Sequence, residues 1–320
     1  MGKKNSGWLA AFYFGSFSFF FSQVLLADNR MIEAKNIDVF LLEGSERLEL
    51  SGLSFCHNKL LSISDNNNHF VYEVVFSDAH KAALKIFIQL PDLPKKNVSY
   101  PLLQQISYWY DGLSSHDRAD FEAITCDKEN IYLLSERKND IVKITEKHAN
   151  WLNVNWYNPL HDKGFLNKYN AYGEGLVKID DFFYLAIERE ERGVFKLTQK
   201  NNGQHFMIEQ QLLPSAPFLS WYGKKEDLSD LAYDGKYLYT LERNAYAVCK
   251  RTIPDFKVVV CFSYASIERG EVYRYHDAKF GMAEGLAVDA NFIYIVLDNN
   301  GLHKASSPED ARSILIRMEK

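Results

Sequence analysis

The chain has 320 residues, 47% hydrophobic and 25% charged, with 17 Gly and 8 Pro; this excludes collagen, coiled coil and disorder and provides for one large or two ordinary globular domains. Aromatic residues are abundant, with 22 Phe, 19 Tyr and 5 Trp, which favours strands over a helical bundle. Against 37 Lys and Arg stand 42 Asp and Glu, a net charge of -5 that gives no pull toward nucleic acid or an acidic membrane.

At the N-terminus, Lys3 and Lys4 precede an uncharged run from Trp8 to Ala27, and Asp28-Asn29-Arg30 follows. This is the order of a signal peptide, with a cleavage point after Leu25-Leu26-Ala27. Residues 1–27 are read as that signal and 28–320 as one exported domain, periplasmic or secreted, without a membrane segment after cleavage. The alternative is a retained anchor, since twenty apolar residues just span a bilayer. Gly15, Ser16, Ser18, Ser22 and Gln23 dilute the run and favour cleavage. In an exported chain the four cysteines can form disulfides. Cys249 and Cys261 lie on two apolar runs joined by a loop, as a cross-strand bridge requires, and Cys56 and Cys126 occupy nearly equivalent places in two repeats. Four reduced, buried thiols are the alternative.

Five segments repeat one pattern: 50–67, 121–138, 173–190, 228–244 and 283–300. Each has a small or acidic leading residue, a small residue or Asp, Leu or Ile, a polar turn, an apolar run, and a closing acid. The leading position and the closing acid are 14 residues apart in four copies and 13 in the copy from Ser229 to Glu242. Each copy predicts a β-hairpin, with turns such as 127–130 and Asp234-Gly235 and with Tyr132, Tyr184, Tyr239 or Tyr294 in the second strand. Further apolar runs follow in most copies, which makes about four strands per unit. The anchors Leu53, Ile124, Leu176, Leu231 and Leu286 are separated by 71, 52, 55 and 55 residues. The expected fold is an all-β five-bladed β-propeller. A sixth, degenerate blade in the 71-residue interval is the alternative, and the run 37–42 is expected to close the ring against the last blade.

In such a fold two rings of residues meet beside the central channel. The first is Ser51, Glu122, Glu174, Ser229 (with Asp230 beside it) and Glu284; the second is Asp65, Glu136, Glu188, Glu242 and Asp298. Crowded carboxylates raise one another's pKa and call for a positive charge. One source is Arg137, Arg189 and Arg243, which follow the second ring and predict Glu–Arg pairs between blades, with spare guanidinium groups for an anionic ester. The other is a hard divalent cation such as calcium, held by Glu122, Glu174 and Glu284. His116-Asp117, His161-Asp162 and His276-Asp277 lie on loops shortly before first-ring positions and are read either as a binding or general-base set or as ordinary polar turns. Trp109-Tyr110 and Trp221-Tyr222 either line a mouth or cap the blades. No GxSxG, HExxH, P-loop or GxGxxG motif occurs.

At 121–124, 173–176 and 283–286, together with Glu136-Arg137, Glu188-Arg189 and Glu242-Arg243, the chain resembles the exported phytase-like esterase propellers, the family named for the esterase-like activity of phytase. The resemblance runs over residues 50–305. It implies a propeller, export, and calcium-dependent hydrolysis of an ester or phosphoester. Ser51 and Ser229 depart from the leading acid, and Asp65-Asn66 and Asp298-Asn299 from the Glu-Arg pair. Two function classes follow: metal-assisted hydrolysis of a small anionic ester at the channel mouth, or a non-catalytic propeller that holds a ligand or protein on the same face.

Overall fold

The computed structural model describes residues 2, 31–78, 80–96, 119–146, 148–167, 172–189, 192–200, 205–211 and 213–320. The expected signal peptide (Gly2 aside), His116 and Trp109-Tyr110 lie outside the described residues.

Strands β1 (Met31–Glu33) and β2 (Asp38–Glu43) precede five hairpin-led runs. The first run is β3 (Leu50–Cys56), β4 (Lys59–Ser64), β5 (Phe70–Asp78) and β6 (Lys81–Gln89). The second is β7 (Phe121–Cys126), β8 (Ile131–Ser135), β9 (Asp140–Ile144) and β10 (Ala149–Trp151). The third is β11 (Gly173–Ile179), β12 (Phe182–Ile187), β13 (Gly193–Lys200) and β14 (His205–Gln211). The fourth is β15 (Asp230–Tyr233), β16 (Leu238–Glu242), β17 (Ala247–Arg251) and β18 (Val258–Ser263). The fifth is β19 (Ala283–Val288), β20 (Phe292–Leu297) and β21 (Ile314–Glu319), with β2 as its outer strand in antiparallel register Asp38 to Arg317. Part of the long first interval is thus used by β5 and β6, and residues 97–118 lie outside the described set.

Each run is an antiparallel meander. Hydrogen bonding gathers them into four sheets, because β2 also pairs in parallel with β6 and fuses the first and fifth runs into one eight-stranded sheet. Strand β1 pairs in parallel with β18. The leading strands β3, β7, β11, β15 and β19 contact one another in sequence, and β19 returns to β3. The architecture is all-β and propeller-like. Apolar clusters fill the seams between adjacent runs: Ile63 and Val71 meet Leu133 and Val142 in one, and Val177 and Ala186 meet Leu231 and Leu238 in another.

The repeated Tyr and the turn Asp form one device. Asp127 accepts from the N–H groups of Glu129 (3.0 Å) and Asn130 (2.9 Å) through Oδ1 and from the Tyr132 hydroxyl (2.7 Å) through Oδ2. Asp234 does the same for Lys236, Tyr237 and Tyr239, and Asp289 for Asn291, Phe292 and Tyr294. A short acceptor that satisfies turn amides fixes the hairpin, and hence its register, at three of five positions.

Cys56 is bonded to Cys126 and Cys249 to Cys261, the first joining the ends of β3 and β7, the second spanning a directly opposed pair on β17 and β18. Two disulfides suit an oxidising compartment. Among the described residues no helix is long and apolar enough to cross a membrane.

Candidate functional site

A cavity of about 550 Å³ opens at the end of the ring where the leading residues and closing acids lie. Ser51, Glu122, Glu174 and Glu284 of the first ring line it, with Asp65, Glu136, Glu188 and Asp298 of the second. Asp120, outside the repeat, joins them, whereas Ser229 and Glu242 do not.

The inner strands present these carboxyl groups through a shared irregularity. The β3–β4, β7–β8, β11–β12 and β19–β20 ladders each shift register at the leading position, between Phe121 and Ala123, for example, or Gly173 and Gly175. A bulge there places one extra residue on the inner strand and re-aims its side chain, which accounts for Glu122, Glu174 and Glu284 facing the cavity. The next residue is small because neighbouring inner strands nearly touch. A Cβ on Gly175 would lie 2.8 Å from Asp230 Cα, and one on Gly52 would lie 2.8 Å from Ala123 Cα.

The two serines that replace leading acids fasten neighbours. Ser51 Oγ donates to Phe121 O at 2.6 Å and Ser229 Oγ to Ala283 O at 2.9 Å. Asp230, at the small-residue position of the fourth run, points into the ring centre. It accepts from the N–H groups of Leu231 (2.8 Å) and Leu286 (2.7 Å), and the amides of Leu53 and Leu176 also bond to it. Burial pushes its pKa well up, and the four amides, from four inner strands, oppose that rise.

Cations occupy one side of the cavity. Arg243 donates to Asp227 at 2.9 Å and also to Glu188 and Glu284. Arg189 pairs with Glu188 at 2.6 Å, and Arg137 approaches Asp120 at 3.4 Å. Glu242 is turned away, fully buried between Arg251 (2.8 Å) and Arg192. Burial raises its pKa, but the two guanidinium groups outweigh that and the net shift is downward.

Elsewhere in the cavity neutralisation is partial: Arg137 lies beside Asp120, while Asp65, Glu122 and Glu174 make no ion pair among the described residues. Glu174 is 8% exposed, and its carboxyl makes no side-chain hydrogen bond or ion pair among the described residues, with Arg243 only partly offsetting its burial. Burial, then Glu188 and Glu136, push its pKa well above the carboxylate range. Burial, then Glu174 and Asp65, do the same to Glu122. Asp65 rises to about 9, by burial and then by Glu49 and Asp298, and its buried Oδ1 has no hydrogen-bond partner. Glu136 rises to about 8, by burial and then by Asp120 and Glu188. Glu284 reaches about 7, burial being opposed by Arg243. Carboxylate oxygens of Asp65, Asp120 and Glu122 lie within 4.8 Å of one another. An all-oxygen anionic donor set of this kind fits a hard divalent cation.

Of the three expected ligands, Glu122 thus belongs to the tight cluster, Glu174 lines the cavity, and Glu284 is engaged by Arg243. Neither of the two candidate histidines among the described residues lines the cavity. His161 ends helix α1 (Tyr157–His161) and stacks on Tyr157 at 5.7 Å, while His276 pairs with Asp277 at 2.9 Å on the exposed rim. Asp120 had no signal in the repeat; its position two residues before a leading acid is the nearest clue.

No protein-family model and no curated protein matches the chain. Among solved structures it is similar to the glutaminyl cyclase of Myxococcus xanthus, at 11% identity over 91% of this chain and 98% of that one, with a TM-score of 0.50. It is also similar to the PQQ-bound aldose sugar dehydrogenase of Streptomyces coelicolor, at 9% identity over 90% and 100% of the two chains, with a TM-score of 0.46. Identity this low speaks to fold alone, and the first of these likenesses agrees with the propeller-like ring described above.

Proposed function

We propose that the chain is an exported five-bladed propeller, cleaved after Ala27, whose channel-mouth cavity binds a hard divalent cation such as calcium and acts on a small ester or phosphoester beside it. The carrying observation is the Asp65–Asp120–Glu122 cluster: three carboxyl groups with oxygens within 4.8 Å of one another, and Arg137 3.4 Å from Asp120 as the cation beside them. The closed cycle of five leading strands supports the blade count. Asp65, Asp120 and Glu122 are the ligands, with Glu174 and Glu136 as further acceptors toward the ion or its water. When bound, the cation supplies charge that polarises an ester oxygen and activates water. Arg189, which pairs with Glu188 at the cavity wall, adds positive charge that attracts an anionic group, and Glu136 or Glu174, ionised once the cation lowers its pKa, takes up a proton released at the site. The resemblance to phytase-like esterases points the same way.

The test is a thermal-shift titration with calcium, followed by turnover of chromogenic phosphate and carboxylate esters. The wild-type melting temperature should rise with free calcium, as preferential binding to the folded state requires. Glu122→Gln and Asp65→Asn should remove that rise. Absence of any calcium shift in wild type refutes the cation reading. A calcium shift without turnover leaves the binding propeller, which uses the same face to hold a ligand.

A further inference from the structure

The rim of the cavity differs in character from its floor. Phe280 lines the mouth and is 48% exposed. Around its ring stand the Arg189 guanidinium, 5.9 Å from the centroid, and the Lys224 ammonium, at 5.4 Å. Lys279, the preceding residue, also lines the cavity. Arg189 is committed to Glu188. The ammonium groups of Lys224 and Lys279 form no ion pair among the described residues, although the floor beneath them is crowded with carboxyl groups.

The segment that carries Phe280 is packed, not loose. Next to it, Gly281 sits so close to Arg243 that a Cβ would fall 2.5 Å from the carbonyl oxygen, and its N–H donates to Asn244 Oδ1 at 3.2 Å. The N–H of Met282 donates to the buried Glu268 at 2.6 Å. Tight packing on the C-terminal side therefore places an apolar ring at the mouth of a polar cavity. A single exposed aromatic residue is common on protein surfaces. One at a cavity mouth, with the Lys224 ammonium 5.4 Å from its centroid and Lys279 beside it in the chain, neither lysine in an ion pair among the described residues, is complementary to a ligand that is both planar and anionic.

We infer that Phe280, Lys224 and Lys279 form a subsite for a ring-bearing organic anion, the ring against Phe280 and the anionic group between the two lysines. This deepens the reading of the acidic floor as a cation site, since a bound cation relieves the repulsion an anion would meet there. The subsite's own recognition is nevertheless made by the rim.

Calorimetric titrations of calcium-loaded protein with phenylphosphonate, methylphosphonate and benzyl alcohol test it. Phenylphosphonate should bind about tenfold more tightly than methylphosphonate, the scale of one aromatic stacking contact, and benzyl alcohol more weakly than phenylphosphonate. Phe280→Ala should bring phenylphosphonate down to the methylphosphonate level, and Lys224→Ala should weaken both phosphonates. Calcium titration should be unchanged in both variants, because neither residue belongs to the floor. Equal affinity for the two phosphonates, or Phe280→Ala without effect, overturns the subsite. If wild-type protein does not bind calcium, the floor reading falls, and the same comparison in metal-free protein still judges the rim: the preference for the ring must appear there or the subsite is wrong.

Discussion

Arg243, at the end of β16, donates to Glu284, which the bulge of β19 turns into the cavity, and the same guanidinium also holds Glu188 from the third run. One side chain thereby ties the runs on either side of its own. It concentrates neutralisation on Glu188, Glu284 and Asp227 and leaves Asp65 and Glu122 without an ion pair among the described residues.

Arg243→Met should therefore be severely destabilising. It leaves Glu188, Glu284 and Asp227 buried without their shared cation, and breaking a buried pair by removing one partner costs about 3–5 kcal/mol. Chemical denaturation of the variant measures this directly. A loss below about 1 kcal/mol, the range of surface pairs, would show that the three acids are not held as described.

Stability of the metal-free protein should fall as pH rises. Asp65, Glu136 and Glu284 have folded-state pKa values raised to about 9, 8 and 7, against about 4 in an unfolded chain. Between those limits the folded state binds more protons than the unfolded state, so the contribution is fully present below about pH 4 and is lost through pH 7 to 9. Melting curves in chelator from pH 5 to pH 9 should show a monotonic decline. Calcium should restore most at the alkaline end, where its ligands are ionised.

Asp230→Ala should cost about 1–3 kcal/mol and loosen the ring centre, because it orphans backbone amides from several inner strands. Hydrogen exchange at Leu286 and Leu231 reports on this locally: their amides should lose protection in the variant. Unchanged exchange there would mean that Asp230 does not hold them.

Ser51→Ala and Ser229→Ala should each cost about 1 kcal/mol, the value of one buried hydrogen bond. They fasten different seams, so the double variant should show the sum within about 0.5 kcal/mol. A strongly non-additive pair would show that the two seams are energetically one.

The sequence made the repeat legible because hairpin, small residue and acid recur at fixed spacing, and the structure places four leading residues and four closing acids around one cavity. What it concealed depends on residues outside the repeat. Glu242 has every local mark of the second ring, yet Arg192 and Arg251 draw it into the core. Neither arginine holds a position that recurs. Asp120 completes the tight carboxylate cluster from a loop position with φ of 56°, a backbone state that spacing does not reveal. Ser51 and Ser229 read as lost ligands, but their hydroxyls have the separate task of binding the next strand.

Strand β2 lies between β21 and β6, with Asp38 opposite Arg317 and Leu41 opposite Lys81. On the ribosome these partners become available at very different times. Residue 81 follows residue 41 closely, whereas the 314–317 stretch is made only after all five hairpins have been synthesised. One of the earliest strands synthesised is thus among the last to acquire both neighbours, and a chain halted anywhere before residue 314 carries an open ring.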